Sequence, residues 1–239
     1  MIKLQVLTSQ INDTFVPSQV LDMYYELESR SQSRNNWKML SEDKIWEELC
    51  FCILSANVSF ELAKSTIAVL SEKGLLDHDW LNEDGKSSLI LFHEMDKSLF
   101  LPLKKNGGFR KYRYPKKRSI QIANAARAIY ASNTLKQILS ELDSDVEARK
   151  FFVKQISGIG IKEASHFLRN IGYSNSLAII DVHVLAFLKE FLLVDIENQS
   201  LTLQQYVKIE KILKNFVEHH NLDLGLFDLA VWYYMKNRI

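Results

Sequence analysis

The sequence predicts an all-α protein, and three observations carry that expectation. Apolar residues recur at helical spacing through most of the chain, and strand-like alternation is scarce. Only three prolines and eight glycines punctuate 239 residues. Serine or aspartate stands just ahead of several apolar runs, where helix caps belong. A hydrophobic content of 47% over this length is enough to bury a substantial core in one or two domains.

In chain order, Ile2 to Leu7 is a short strand candidate and Ser29 to Asn36 a polar connection. Ser41 caps a helix carrying Ile45, Trp46, Leu49, Cys50, Ile53 and Leu54 on its apolar positions. Ser59 caps the next, which ends near Gly74. Asn82 to Ser88 and Asp143 to Ala148 are expected to be loops or short connections. The run from Leu222 to Met235 is apolar on nearly every side and ends in Trp232-Tyr-Tyr-Met235-Lys236, as expected of a packed terminal helix.

A formal net charge of +1 excludes a protein that coats nucleic acid through bulk charge, so any affinity for DNA must come from local patches. One such patch runs from Lys104 to Arg118. It holds Lys104, Lys105, Arg110, Lys111, Arg113, Lys116, Lys117 and Arg118 without an acid, interleaved with Phe109, Tyr112 and Tyr114. A solvated loop would read the same way, but the aromatic interleaving favours phosphate and base contacts. Cys50 and Cys52 are the only cysteines, too few for a disulfide framework or a four-cysteine cluster, and their apolar setting is that of buried residues. No signal-peptide pattern and no run of 18 apolar residues occurs, so a cytoplasmic, nucleoid-associated protein is expected.

The most informative stretch is Ile156-Ser-Gly-Ile-Gly-Ile-Lys162. Phe151, Phe152, Val153 and Ile156 end one apolar segment, and a Gly-x-Gly turn at Gly158 and Gly160 follows. A second helix then carries Ile161, Ala164, Leu168 and Ile171 at 3.6-residue spacing, with Gly172 placed to end it. Backbone N–H groups at such a turn can point at one phosphate. The period sets Lys162, His166 and Arg169 away from the core, with Lys162 facing solvent two residues past the turn, where its amine could serve as a nucleophile. Asp181 opens a second apolar run, where it could cap a helix and serve the same site.

These words, with Ala178-Ile-Ile-Asp-Val-His183, Glu48-Leu-Cys-Phe-Cys-Ile-Leu-Ser-Ala-Asn57 and Leu229-Ala-Val-Trp-Tyr-Tyr234, resemble the helix-hairpin-helix and Gly/Pro…Asp signature of base-excision DNA glycosylases. The resemblance is closest to the type-2 8-oxoguanine DNA glycosylase/AP lyases of archaea and some bacteria. It implies two helical domains with the active-site cleft between them, residues 1–44 and 175–239 forming one and 45–174 the other. It further implies a bifunctional enzyme that extrudes oxidised guanine from duplex DNA, with Lys162 as nucleophile at C1′, forming a Schiff base before β-elimination. Asp181 would stabilise the sugar cation and assist deprotonation. Gly158 and Gly160, with Lys116 and Lys117 from the basic patch, would hold phosphates, and Trp232 and Lys236 would border the base. No cofactor is required on this reading, but carbonyls of Lys154, Ile156 and Ile159 would offer a seat for Na+ or K+. The partner is double-stranded DNA, with no membrane, and a monomer is expected. The tail Lys236-Asn-Arg-Ile239 departs from the longer lysine-ended tails of that group, which leaves another damaged base open. The alternatives of another class are a non-catalytic hairpin module, which would not need the Lys162 and Asp181 pair, and a monofunctional glycosylase, which would not need the lysine. The endonuclease III branch requires four cysteines.

Overall fold

Several helices in this molecule start at side-chain caps, and some end beside left-handed residues. The computed structural model describes residues 16–30, 36–83, 85–191, 201–236 and 238. The regular elements among them are α1 (Ser18–Arg30), α2 (Glu42–Ser55), α3 (Phe60–Glu72), α4 (His78–Glu83), α5 (Ser87–Lys97), α6 (Pro115–Tyr130), α7 (Leu135–Glu141), α8 (Asp145–Gln155), α9 (Ile161–Asn170), α10 (Val182–Phe191), α11 (Leu203–His219) and α12 (Leu224–Lys236). The all-α expectation holds: among the described residues the one strand-type pairing is an isolated bridge between Phe100 and Arg110. The strand candidate at Ile2 to Leu7 lies outside the described residues.

Ser41, Thr134, Ser144 and Thr202 each accept a hydrogen bond from the amide three residues on, starting α2, α7, α8 and α11. Ser59 precedes α3 in an extended conformation but makes no capping bond. Helix α9 ends at Gly172, whose φ of +72° lets its own N–H reach Arg169 O and that of Tyr173 reach Leu168 O, both at 2.9 Å. Three stretches expected to be connections are partly helical. Helix α1 runs through Arg30, α4 through Glu83 with α5 resuming at Ser87, and α8 starts at Asp145 because Ser144 caps it.

Two compact units result, Asn35–Tyr173 and Met1–Arg34 with Ser174–Ile239. The central unit closes over Trp46, Leu49, Ile53, Leu91, Met95, Ile122, Phe152 and Phe167, with Cys50 and Cys52 fully buried among them. It begins at Asn35, ahead of the boundary at residue 45 expected from sequence, and the reason is a cap. Glu42 accepts hydrogen bonds from Tyr130 Oη (2.9 Å), Leu135 N (2.6 Å) and Lys136 N (3.2 Å), fastening the start of α2 to α6 and α7. The terminal unit is built of α1, α10, α11 and α12 over Val20, Tyr24, Phe187, Leu213, Phe216, Phe227 and Met235.

Candidate active site

Helices α8 and α9 and the turn between them form a helix-hairpin-helix. Buried Ile156 and Ile159 anchor the turn, and Ile159 N donates to Ile156 O at 3.2 Å. Gly158 has a φ of +94°, and a Cβ there would come within 2.7 Å of the Gln121 side chain on α6. Glycine is therefore required by conformation, and a larger residue would also have to push the Gln121 side-chain tip aside. Below the turn, buried Arg149 donates to Ser165 Oγ (3.3 Å) and the Phe152 and Phe167 rings meet edge to face at 4.8 Å. The helix pair is thus fixed by packing, and the turn is seated on it through Ile156 and Ile159.

Lys162 stands on the first turn of α9, but not as the solvent-facing lysine the helical period suggests. Its side chain is 28% exposed, and Nζ lies 3.2 Å from Glu163 Oε1. The other oxygen of Glu163 accepts from Gly160 N at 3.2 Å, so one carboxylate touches both the hairpin backbone and the lysine. One turn further, His166 packs edge to face on Phe51, and burial together with the charges of Lys162 and Arg169 pushes its imidazole down to about 3. His166 is therefore neutral and partly buried rather than a surface cation. Beneath the same helix, Glu48 of α2 accepts from Asn170 Nδ2 at 2.7 Å and contacts Cys52 Sγ at 3.8 Å, while burial raises its carboxyl. Burial also lifts the Cys52 thiol well above its ordinary range, with the Lys162 charge opposing.

The basic stretch divides into exposed and structural members. Lys104, Lys105, Lys111, Arg113, Lys116 and Lys117 are exposed, with Phe109 beside them. Arg118 is buried, donating to Ala56 O (2.6 Å) and Gln121 Oε1 (2.7 Å), and Tyr112 is buried with its hydroxyl on Leu54 O (2.6 Å). These two are removed from the candidate nucleic-acid surface because each satisfies a helix-end carbonyl inside the unit. Since Gly158 rests on Gln121, the helix that carries Lys116 and Lys117 packs beside the hairpin.

Asp181 belongs to the terminal unit, where its Oδ1 accepts from His183 N (2.9 Å) and Val184 N (3.0 Å) and caps α10. The segment leading into it is held by three side chains from α11 and α12. Glu210 accepts from Ala178 N (2.9 Å) and Asp228 from Ile179 N (2.9 Å). The Tyr206 hydroxyl donates to Ala178 O (2.8 Å) while accepting from Ile180 N (3.0 Å). Sequence reasoning did not find these residues, since they are remote in the chain and no local pattern marks them. In the same unit His183 meets the edge of Trp232 with centroids 6.0 Å apart, and Lys236 Nζ lies 4.4 Å over the Trp232 ring. Arg238 pairs with Glu190 at 2.8 Å, whereas Asn237 and Ile239 of the tail lie outside the described residues.

With that geometry in view, the comparisons with known proteins are specific. The family described as 8-oxoguanine DNA glycosylase matches residues 27–222. The 8-oxoguanine DNA glycosylase/AP lyase of Methanocaldococcus jannaschii is 36% identical over 213 residues, covering 89% of this chain and 90% of that protein. Its counterpart in Korarchaeum cryptofilum is 33% identical, with 83% of each covered. Among solved structures, the M. jannaschii 8-oxoguanine glycosylase/lyase in complex with DNA containing 8-oxoguanine aligns with a TM-score of 0.65 at 31% identity, covering 96% of this chain and 95% of that one. The 8-oxoguanine DNA glycosylase of Thermotoga maritima aligns at 0.64 and 29% identity, covering 92% and 89%.

Proposed function

Because this chain belongs to the 8-oxoguanine DNA glycosylase family, we propose that it excises 8-oxoguanine from duplex DNA and then cleaves the strand at the resulting abasic site. The observation that carries the reading is Lys162 on the first turn of α9, its amine held by Glu163 immediately beyond the Gly158 to Gly160 turn. In this mechanism the neutral amine attacks C1′ of the extruded nucleotide, the N-glycosidic bond breaks, and the base leaves with the bonding electrons and takes up a proton. The aminal opens to an imine, loss of a C2′ proton expels the 3′ phosphate, and water releases Lys162. Asp181 stabilises positive charge on the sugar and accepts the amine proton. Its fixed cap geometry suits that task, because a carboxylate that need not reorganise stabilises charge best.

The Gly158 and Gly160 amides hold a backbone phosphate, supported by Lys116 and Lys117 from the neighbouring helix. Trp232 stacks on the extruded base and Lys236 contacts its rim. A monovalent cation suits the hairpin, since carbonyls of Lys154, Ile156 and Ile159 are neutral, hard oxygen donors and Ile156 O keeps a second lone pair beside its bond to Ile159 N. An ion held there would supply positive charge to the hairpin that receives the DNA backbone. The enzyme acts as a monomer on DNA in the cytoplasm, at the nucleoid. Among the described residues no helix is long and apolar enough to cross a membrane.

The test is borohydride trapping on labelled duplexes carrying 8-oxoguanine, an abasic site or guanine, beside Lys162→Gln. The expected result is a covalent complex on the first two duplexes, absent in the variant, which retains duplex affinity within a few-fold. Trapping on the abasic duplex alone would keep the lyase and reject 8-oxoguanine as the excised base.

A further inference from the structure

Glu163 occupies a position that the proposed reaction needs for something else. Its Oε2 accepts from Gly160 N at 3.2 Å and its Oε1 lies 3.2 Å from Lys162 Nζ. Its side chain is 14% exposed, so this is a largely buried carboxylate at a helix start, where the dipole favours an anion. The contact with the turn is close enough that a Cβ on Gly160 would come within 2.9 Å of the same Oε2. Gly160 N–H is one of the donors a DNA phosphate would use there. Two anions competing for one donor repel each other.

We propose that Glu163 is a positioning residue that works as a latch. Without DNA it fills the anion seat at Gly160 and ties down the Lys162 amine. A backbone phosphate docking on the turn takes the Gly160 N–H, turns Glu163 out, and frees Lys162 to approach C1′. This rests on the reading of Lys162 as nucleophile and of the turn as a phosphate seat. Only hydrogen bonds and an ion pair are exchanged. The consequence is a nucleophile armed by the capture of DNA and shielded from small aldehydes until then.

The experiment reads Lys162 directly in the full chain without DNA. Reductive methylation by formaldehyde and cyanoborohydride is followed at Lys162 by peptide mass spectrometry, with inorganic phosphate titrated against chloride at matched ionic strength. In the wild type, phosphate raises the labelling rate by about fivefold, the scale of losing one partly exposed ion pair. Glu163→Gln, which keeps an oxygen for Gly160 N but no charge, labels at the higher rate from the start and does not respond to phosphate. Wild-type labelling that ignores phosphate overturns the latch, as does a Gln variant that labels no faster than wild type. Should the variant fail to fold, the wild-type titration alone decides. Borohydride trapping on the abasic duplex separates the two levels: trapping with no phosphate response sinks the latch alone, whereas no trapping on any duplex sinks the reading beneath it.

Discussion

Lys162 and Asp181 are held in opposite ways. Among the described residues Lys162 makes its ion pair with the adjacent Glu163, on the first turn of α9 just past the hairpin turn. Asp181 follows a segment whose successive backbone groups are pinned by Glu210, Asp228 and Tyr206, all almost fully buried. An ion pair of that exposure is worth little, whereas a buried polar group that loses its partner is costly. The contrast matches the two tasks proposed for them. A nucleophile must move onto carbon, and a carboxylate that stabilises developing charge must stay where it is.

The sharpest way to break this comparison is to remove one pin. Asp228→Ala leaves the Ile179 N–H without its acceptor and is expected to cost about 2–3 kcal/mol. Tyr206→Phe strips the hydroxyl from Ala178 O and Ile180 N together and should cost a similar amount. Glu163→Gln should cost under about 1 kcal/mol. Denaturant unfolding measures all three. Equal losses at the three positions would mean that the lysine is held as rigidly as the carboxylate, and the contrast would fail.

What could be read from sequence follows the same division. The hairpin, the caps at Ser41 and Asp181 and the stop at Gly172 are local, and each was legible from spacing of a few residues. Even Glu163 was within reach, because Gly160-x-x-Glu163 has the spacing of a capping box. Arg118 was misassigned to the surface although Arg118, Ile122, Ala125 and Ile129 lie on one helical period, a stripe that the structure buries. The pins on the Asp181 segment were not legible. Glu210 reaches Ala178 across 32 residues and Asp228 reaches Ile179 across 49, and an acid inside an apolar helix gives no hint of which amide it will meet.

A smaller effect tests the electrostatics around Lys162. The folded protein holds His166 down at about 3, while an unfolded chain protonates it near 6.5. Between those values the unfolded state binds more protons, so this residue's contribution is whole above pH 6.5 and is lost as the pH falls towards 3. Thermal midpoints measured from pH 7 to pH 5 should drop in the wild type by the equivalent of about 2 kcal/mol, and by less in His166→Asn. An identical drop in both would mean that the Lys162 face of α9 is wetter than its packing on Phe51 indicates.

The gentlest test concerns the exposed cations on the helix beside the hairpin. Lys116 and Lys117 are on the solvent side of α6, so replacing both with Ala should leave the thermal midpoint nearly unchanged while weakening duplex binding. Each phosphate contact contributes about 0.9 to the slope of log affinity against log salt, so the double variant should flatten that slope by roughly 1.8. Asp228→Ala makes the useful contrast, because a buried pin carries no counterions and its loss should leave the slope alone. If the slope is unchanged in the lysine double variant, the two side chains are solvated surface, and the hairpin amides with the remaining exposed cations must carry the phosphate contacts.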